Sequence, residues 1–367
     1  MSSKSVAIVG GGPAGMALAL ALRQHGVASE IFEARERAVV RRDARVLALS
    51  DGARQILDWL GVWQNLPATA IETIHVSHSG GLGRTCMRAA ELKVPALGWV
   101  LPANHLIVAL DEAISAAGIP YLDQQKVPKD AERSAGGTAN FALTAWAEGA
   151  VDADAAKLRD YGQHAVLCTA GVAEPHANVA WERFTAAGPV ALLPLGSEYA
   201  VVLTCAEEDV PAVLAMNDVD FRELLQQRFG TRHRFTTLTP RVAYPLGLRY
   251  RESPVDERQV WLGNAAQTLH PVAGQGFNLA LRDIWELARQ LGRADDPGDA
   301  AVLAAYANGR RVDRHGTIGF TNLLIDSFAS DFGPLRHLRG AGLLALDLVP
   351  PLRNFVARRM IFGARAW

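Results

Sequence analysis

Three features of the sequence predict an α/β fold, α+β overall. An apolar strand runs into a glycine-rich turn and an alanine-rich helix at the start of the chain, and a second strand–loop–helix unit lies far downstream. Between and around them fall strand-rich stretches, with a helical part at the end. The 367 residues are enough for a large core and more than one structural unit. Apolar residues at 49% and charged residues at 20% fit an ordinary globular enzyme, and a net charge of −1 removes any electrostatic reason to expect nucleic acid as a partner. Cys86, Cys168 and Cys205 are odd in number and far apart, which argues against both a disulfide framework and a metal cluster. The start, Met1 to Lys4, has no secretory or transit pattern, and no apolar run reaches the ~18 residues of a membrane span. The expected location is therefore cytoplasmic, with a peripheral position on the inner membrane surface as the second option.

The first unit opens with Ser5–Val9, a short apolar run that reads as a buried parallel strand. The turn Gly10-Gly-Gly-Pro-Ala-Gly15 follows at once, placing Gly10, Gly12 and Gly15 in G-x-G-x-x-G spacing. In such a turn the first glycine permits the tight bend, the second lets the backbone approach a pyrophosphate, and the third lets helix and strand pack closely. Pro13 suits a first helical turn, where a missing N–H costs little, and a helix is predicted over Ala14–His25 with Gly26 ending it. A second strand, Ser29–Phe32, ends at Glu33, close to the spacing of about 20 residues at which a carboxylate meets a ribose hydroxyl. Strand, turn, helix, strand and acid in this order predict a Rossmann-like dinucleotide domain. The fingerprint by itself does not separate FAD from NAD.

Downstream, Val260–Leu262 reads as a strand, the stretch to about Gly274 as a loop, and Leu279–Leu291 as a helix stopped by Gly292. Gly274, Gln275, Gly276, Phe277 and Asn278 therefore fall at a helix N-terminus. Free N–H groups and the positive dipole end favour an anion there, and the pyrimidine ring of a reduced flavin is one.

The loop itself reads Gly263-Asn-Ala-Ala-Gln-Thr-Leu-His-Pro271. Asp43-Ala-Arg45-Val-Leu-Ala-Leu-Ser50, Ile74–Ser77, Leu97–Val100, Tyr161–Gln163, Glu182–Thr185 and Tyr244–Leu246 stand in order between the two units. Together these segments resemble the ubiquinone-biosynthesis hydroxylases, within the larger class of FAD-dependent aromatic monooxygenases. That class commonly shows G-D-A-A-H, so the amide of Asn264 stands where an acid near the flavin ribitol is usual. The variant is similar to the subgroup acting on 2-polyprenyl-6-methoxyphenol. The resemblance implies FAD, with Arg45, Asn264 and Pro271 among its contacts, and NAD(P)H as the reductant. The family's Asp-Gly motif for the pyridine nucleotide falls on Glu148-Gly149, where Glu replaces Asp and a downstream serine is missing.

The resemblance further implies a monooxygenase acting through a flavin 4a-hydroperoxide on a prenylated phenol, with molecular oxygen as co-substrate and other ubiquinone-biosynthesis proteins as partners. His270 is a candidate for accepting the phenol proton because histidine titrates near neutral pH, and an orienting role for it stays equally open. Tyr244 is a weaker candidate. Two other readings remain: a flavin reductase or dehydrogenase on the same fold, and a non-catalytic flavoprotein scaffold.

Because the two flavin motifs are far apart, the FAD-binding domain is expected to be discontinuous, over residues 1–70, 98–170 and 258–300. Residues 71–97 and 171–257 form the expected β-sheet substrate domain, with strands at Val190–Leu195 and Tyr199–Thr204, and residues 301–367 a helical C-terminal part. The tail from Leu335 mixes leucines with Arg336, Arg339, Arg353, Arg358 and Arg359. It reads either as a helical layer packed on the protein or as a surface resting on anionic lipid. Since Glu33 is placed for an adenosine ribose that FMN lacks, acid release from the yellow protein followed by chromatography is expected to yield FAD. Recovery of FMN alone would overturn that placement.

Overall fold

The computed structural model describes residues 3–79, 83–128, 138, 140–149, 151, 153–270, 274–329 and 333–365. A six-stranded sheet has the spatial order Val255–Asp256, Gln259–Trp261, Phe141–Trp146, Ser3–Val9, Ala28–Phe32, Tyr121–Leu122. All its pairings are parallel except the outer hairpin of the first two strands. The central strand explains why the run at residues 6–9 is apolar at every position. Val6 and Ile8 enter the main core beneath the helices Pro13–Gln24 and Ala103–Ala116, while Ala7 and Val9 enter a second cluster with Phe32 and Trp146. Burial on both faces is the usual condition of a parallel sheet.

A nine-stranded, largely antiparallel sheet forms the second unit. Its path runs Gln267–Thr268, Val242–Arg251, Ala156–Val172, Glu198–Ala206, Gly188–Leu195, Val179–Thr185, Thr73–His78, Arg84–Arg88, with Phe235–Leu238 paired beside the long strand. Thr73–His78 and Val179–Thr185 are parallel, the one such pairing among the described strands of this sheet. A small three-stranded sheet, Val46–Ser50, Gly98–Pro102 and Thr69–Ile71, completes the set.

The sequence-based boundary at residue 170 shifts here. Strand Ala156–Val172 pairs along its length with Val242–Arg251 and Glu198–Ala206, so the chain enters the second sheet by residue 156. Its first half is mostly exposed and polar, and a register shift between Asp160 and Gln163 interrupts its alternation. No period-2 apolar pattern marks that half as a strand.

The C-terminal part consists of helices Ala300–Ala329, Gly333–Leu348 and Pro350–Phe362. The side chains of residues 327–339, Arg336 and Arg339 among them, lie outside the described residues. Helix Ala300–Ala329 packs on helix Gln275–Leu291 through a buried ionic network. Asp283 accepts from Arg310 Nε at 2.6 Å and from Gln267 Nε2 at 3.0 Å. Asp313 accepts from Arg282 Nε at 2.7 Å, Arg310 Nη2 at 2.5 Å and the Ala364 N–H at 2.9 Å. Gln267 Oε1 accepts from Arg314 Nε at 2.7 Å.

Burial alone would push the Asp313 carboxyl up, but Arg282 and Arg310 outweigh it and hold it at about 2. An unfolded aspartate titrates near ~3.9, so this stabilisation is complete above that pH and is lost as pH falls through the folded value. Asp313→Ala leaves the buried Arg282 guanidinium without its carboxylate and takes one of two from Arg310, and is expected to lower the unfolding free energy by roughly 3–5 kcal/mol. Urea denaturation followed by circular dichroism reads the change. A loss within about 0.5 kcal/mol, the range of ordinary surface substitutions, would show that the network does not secure these helices.

Candidate active site

The glycine turn is built by close approach. Gly10 has φ +114° and donates its N–H to the Phe32 carbonyl at 2.7 Å. A Cβ there would lie 2.6 Å from Glu148 Cβ, and one at Gly15 would overlap the Gly10 carbonyl oxygen. Only glycine permits either approach. At Gly12, by contrast, an added Cβ would meet nothing within 4 Å. Gly12 caps helix Pro13–Gln24 without any side-chain hydrogen bond to the helix end, and no acid stands in the first turn. An open helix N-terminus beside an open glycine is a fitting cradle for a pyrophosphate. Ala14 carries the turn on into the core.

Glu33 closes the second strand, 2% exposed. Its Oε2 accepts the Gly11 N–H at 2.9 Å, and its Oε1 accepts the Arg35 N–H and Nε, each at 2.9 Å. Burial raises its pKa, but the hydrogen bonds from Arg35 and Gly11 prevail and hold the carboxyl below its ordinary value. Glu33 is thus ionised and braces the turn. Tyr121 adds a support that the sequence did not signal, donating its hydroxyl to the Gly11 carbonyl at 3.1 Å.

The second motif comes to the first. An added Cβ at Gly263, φ +56°, would lie 3.5 Å from Ala14 Cβ and 3.9 Å from Ala280 Cβ. The loop therefore rests between the two helix starts. Asn264 beside it is exposed, and no described protein group hydrogen-bonds its amide. Gly274, φ +59°, caps helix Gln275–Leu291, again without a side-chain cap, and a Cβ at Gly276 would meet nothing within 4 Å. Pro271 lies outside the described residues.

Several expected contacts are used inside the protein instead. Asn278, 2% exposed, accepts the Ser50 N–H at 2.8 Å and donates to the carbonyls of Ala48 at 3.0 Å and Gly274 at 2.6 Å. Its amide clamps the helix to strand Val46–Ser50 and leaves little for a cofactor. Gln275 donates to the Met360 carbonyl at 3.2 Å, toward the last helix, and Phe277 packs against the main core. Within the segment 274–278, what faces open space is backbone and Gly276. Arg45 is half exposed and bidentate to Asp43, with Nε–Oδ1 2.9 Å and Nη2–Oδ2 2.5 Å. Glu148 abuts Gly10, and Gly149 turns with φ +75°.

A cavity of ≈ 210 Å³ lies between the nine-stranded sheet and the C-terminal helices. Its walls include Val76, Phe184 and Leu193 from the sheet and Phe320, Leu343 and Met360 from the helices. Ala48, Gly274 and His270 also line it, so it adjoins the cradle just described. His270 is 3% exposed and sits edge-on to Tyr161, ring centroids 5.6 Å apart. Burial lowers its pKa to about 4, which makes the imidazole neutral and a weak proton acceptor near pH 7. This corrects the expectation of a neutral-pH base. Tyr244 is 45% exposed and does not line the cavity, although its register with Ala165, which in turn opposes the cavity residue Thr204, puts it on the cavity face of the sheet. Glu182 does line the cavity. The sequence carried it only as part of a resemblance, since alternation marks a strand face but not what covers it.

Residues 3–144 and 138–315 match the family described as the FAD binding domain. The chain is 31% identical to ubiquinone hydroxylase UbiL of Rhodospirillum rubrum, covering 96% of this chain and 88% of that one. It is 30% identical to 3-demethoxyubiquinol 3-hydroxylase of Escherichia coli, covering 95% and 96%. Among solved structures, p-nitrophenol 4-monooxygenase PnpA from Pseudomonas putida shares the fold with a TM-score of 0.72 at 18% identity, over 98% of both chains. The probable FAD-dependent monooxygenase pqsL from Pseudomonas aeruginosa does so with a TM-score of 0.72 at 20% identity, over 93% and 99%. A glycine cradle, an open helix end and a relationship spanning nearly the whole chain agree: the chain belongs to the ubiquinone-hydroxylase family of FAD-dependent monooxygenases.

Proposed function

We propose that this protein hydroxylates a phenol ring bearing a prenyl chain, as a step of ubiquinone biosynthesis. The observation that carries the proposal is the apolar cavity, which opens at the cofactor loop and runs between sheet and C-terminal helices. An aromatic head next to Gly274 and His270, with its hydrocarbon tail among Leu343, Phe320 and Met360, fits that lining. Bound FAD supplies the electron transfer and oxygen activation. The six-stranded unit would hold it through the turn Gly10–Gly15, Glu33, Arg45, Asn264 and the backbone at Gly274 to Gly276. The nine-stranded unit covers the ring and excludes water. NAD(P)H is the proposed reductant, met at the Glu148-Gly149 turn beside Gly10. Molecular oxygen completes the proposed reaction.

No described helix is long and apolar enough to cross a membrane. Exposed Leu344, Leu348, Leu352 and Phe355 on the last two helices, with Val349 between them, support a peripheral lipid contact, on the same helices that line the cavity. Incorporation of labelled oxygen into a prenylated phenol tests the central reading. Electron transfer to FAD without that label would replace it with a reductase, and neither signal would leave a scaffold.

Two substitutions test the cradle. Gly12→Val puts a side chain into space that no protein atom occupies, so it is expected to fold and to lose FAD. A valine protein with full flavin content would make the turn purely structural. Gly276→Asp fits sterically for the same reason and sets a carboxylate at the helix end. Removing one electrostatic contact of this kind costs on the order of 3 kcal/mol in catalysis. The expected outcome is a lowered flavin reduction potential with little hydroxylation, while the control Ala301→Asp, at an exposed position, matches the parent. Equal potentials in Gly276→Asp and parent, both fully loaded, would mean the loop does not face the flavin.

A further inference from the structure

Strand Val179–Thr185 turns Ala180, Glu182 and Phe184 toward the cavity. The cross-strand neighbours of Glu182 are Val76 on one side and Ala191 on the other, and both also line the cavity. A carboxyl group therefore sits in a wall that is otherwise almost wholly apolar. Among the described residues, no ion pair or hydrogen bond reaches it. The other ionisable groups of the wall are His270, which is neutral, and Arg353, whose Nη atoms are held by Glu91 at 2.7 Å and the Asp347 carbonyl at 2.8 Å. An unpartnered carboxyl in such surroundings is costly to ionise.

We propose that Glu182 is a catalytic residue that binds the phenolic hydroxyl of the substrate. It accepts that hydroxyl's hydrogen bond and takes its proton, the O–H bond breaking with its electron pair left on the phenolic oxygen, so that the ring is attacked as the more electron-rich phenolate. The inference rests on the phenol-hydroxylase reading. Burial raises the Glu182 pKa to about 8. Against a phenol near ~10 this makes the carboxylate a far better matched proton acceptor than an ordinary glutamate at ~4.3. The same burial predicts a stability signature. An unfolded glutamate ionises near ~4.3 while the folded one keeps its proton until about 8, so the group's contribution to stability falls as pH rises between those values.

The test uses FAD-loaded parent, Glu182→Gln and Glu182→Leu. Dissociation constants for a short prenylated phenol and for its methyl ether are measured by tryptophan fluorescence, since Trp181 lines the cavity. The parent is expected to favour the phenol by on the order of tenfold, and Glu182→Leu to lose that preference. Glu182→Gln keeps an acceptor but cannot take a proton. It is expected to bind the phenol within a few-fold of the parent, to lose on the order of a hundredfold in kcat, and to lose the rise of kcat toward pH 8. Both variants should melt higher than the parent, with the gap widening from pH 5 to pH 8, whereas a merely structural glutamate would lower the melting temperature when removed. Variants with parental discrimination, kcat and pH profile would overturn the role of Glu182 while leaving the phenol reading intact. A parent that neither binds nor hydroxylates the phenol would overturn both.

Discussion

Helix Gln275–Leu291 keeps one open, uncapped end while its flank is sealed in protein, and the buried ionic network makes that possible. Arg282 and Asp283 are adjacent on this helix and both point inward, each meeting an opposite charge on helix Ala300–Ala329. Three arginines face two aspartates, and the surplus charge on Arg314 is met by the carbonyls of Glu252 at 3.1 Å and Ala266 at 3.2 Å and by Gln267. Gln267 has to donate to Asp283 and accept from Arg314 at once. A neutral amide does both, and a carboxylate could not. The network therefore couples the cofactor loop, the long helix and the edge of the nine-stranded sheet in one buried cluster.

With that helix fixed, two remote motifs become one site. Gly263 tucks against Ala14 and Ala280, and Asn278 ties the helix start to Ser50 and Ala48 in the small sheet. The motif residues thus divide their labour. Those with small or no side chains, Gly12, Gly276 and the backbone around them, leave room for a ligand. Those with amides or acids, Asn278, Gln275 and Glu33, hold the room's walls in place.

The adjoining cavity follows a different electrostatic rule. Its walls carry few ionisable groups, and burial drives His270 and Glu182 toward their neutral forms. In such a low-dielectric space each remaining polar contact is worth more than it would be in water. One carboxyl can then orient a ring that the apolar lining alone would hold in many poses.

The glycine spacing, the apolar run of Val6–Val9 and the acid at residue 33 determined the nucleotide unit and its parallel sheet, because those constraints are local and each demands a particular residue type at a particular offset. The sequence could not reveal that Ala156–Val172 belongs to the second sheet, that the Asn278 amide is spent on Ser50 and Ala48, or that Glu182 faces the cavity. Those outcomes depend on partners distant in the chain and on which face of a strand is covered. The protonation of His270 was decided in the same way, since a pKa is set by what surrounds a group and not by its neighbours in sequence.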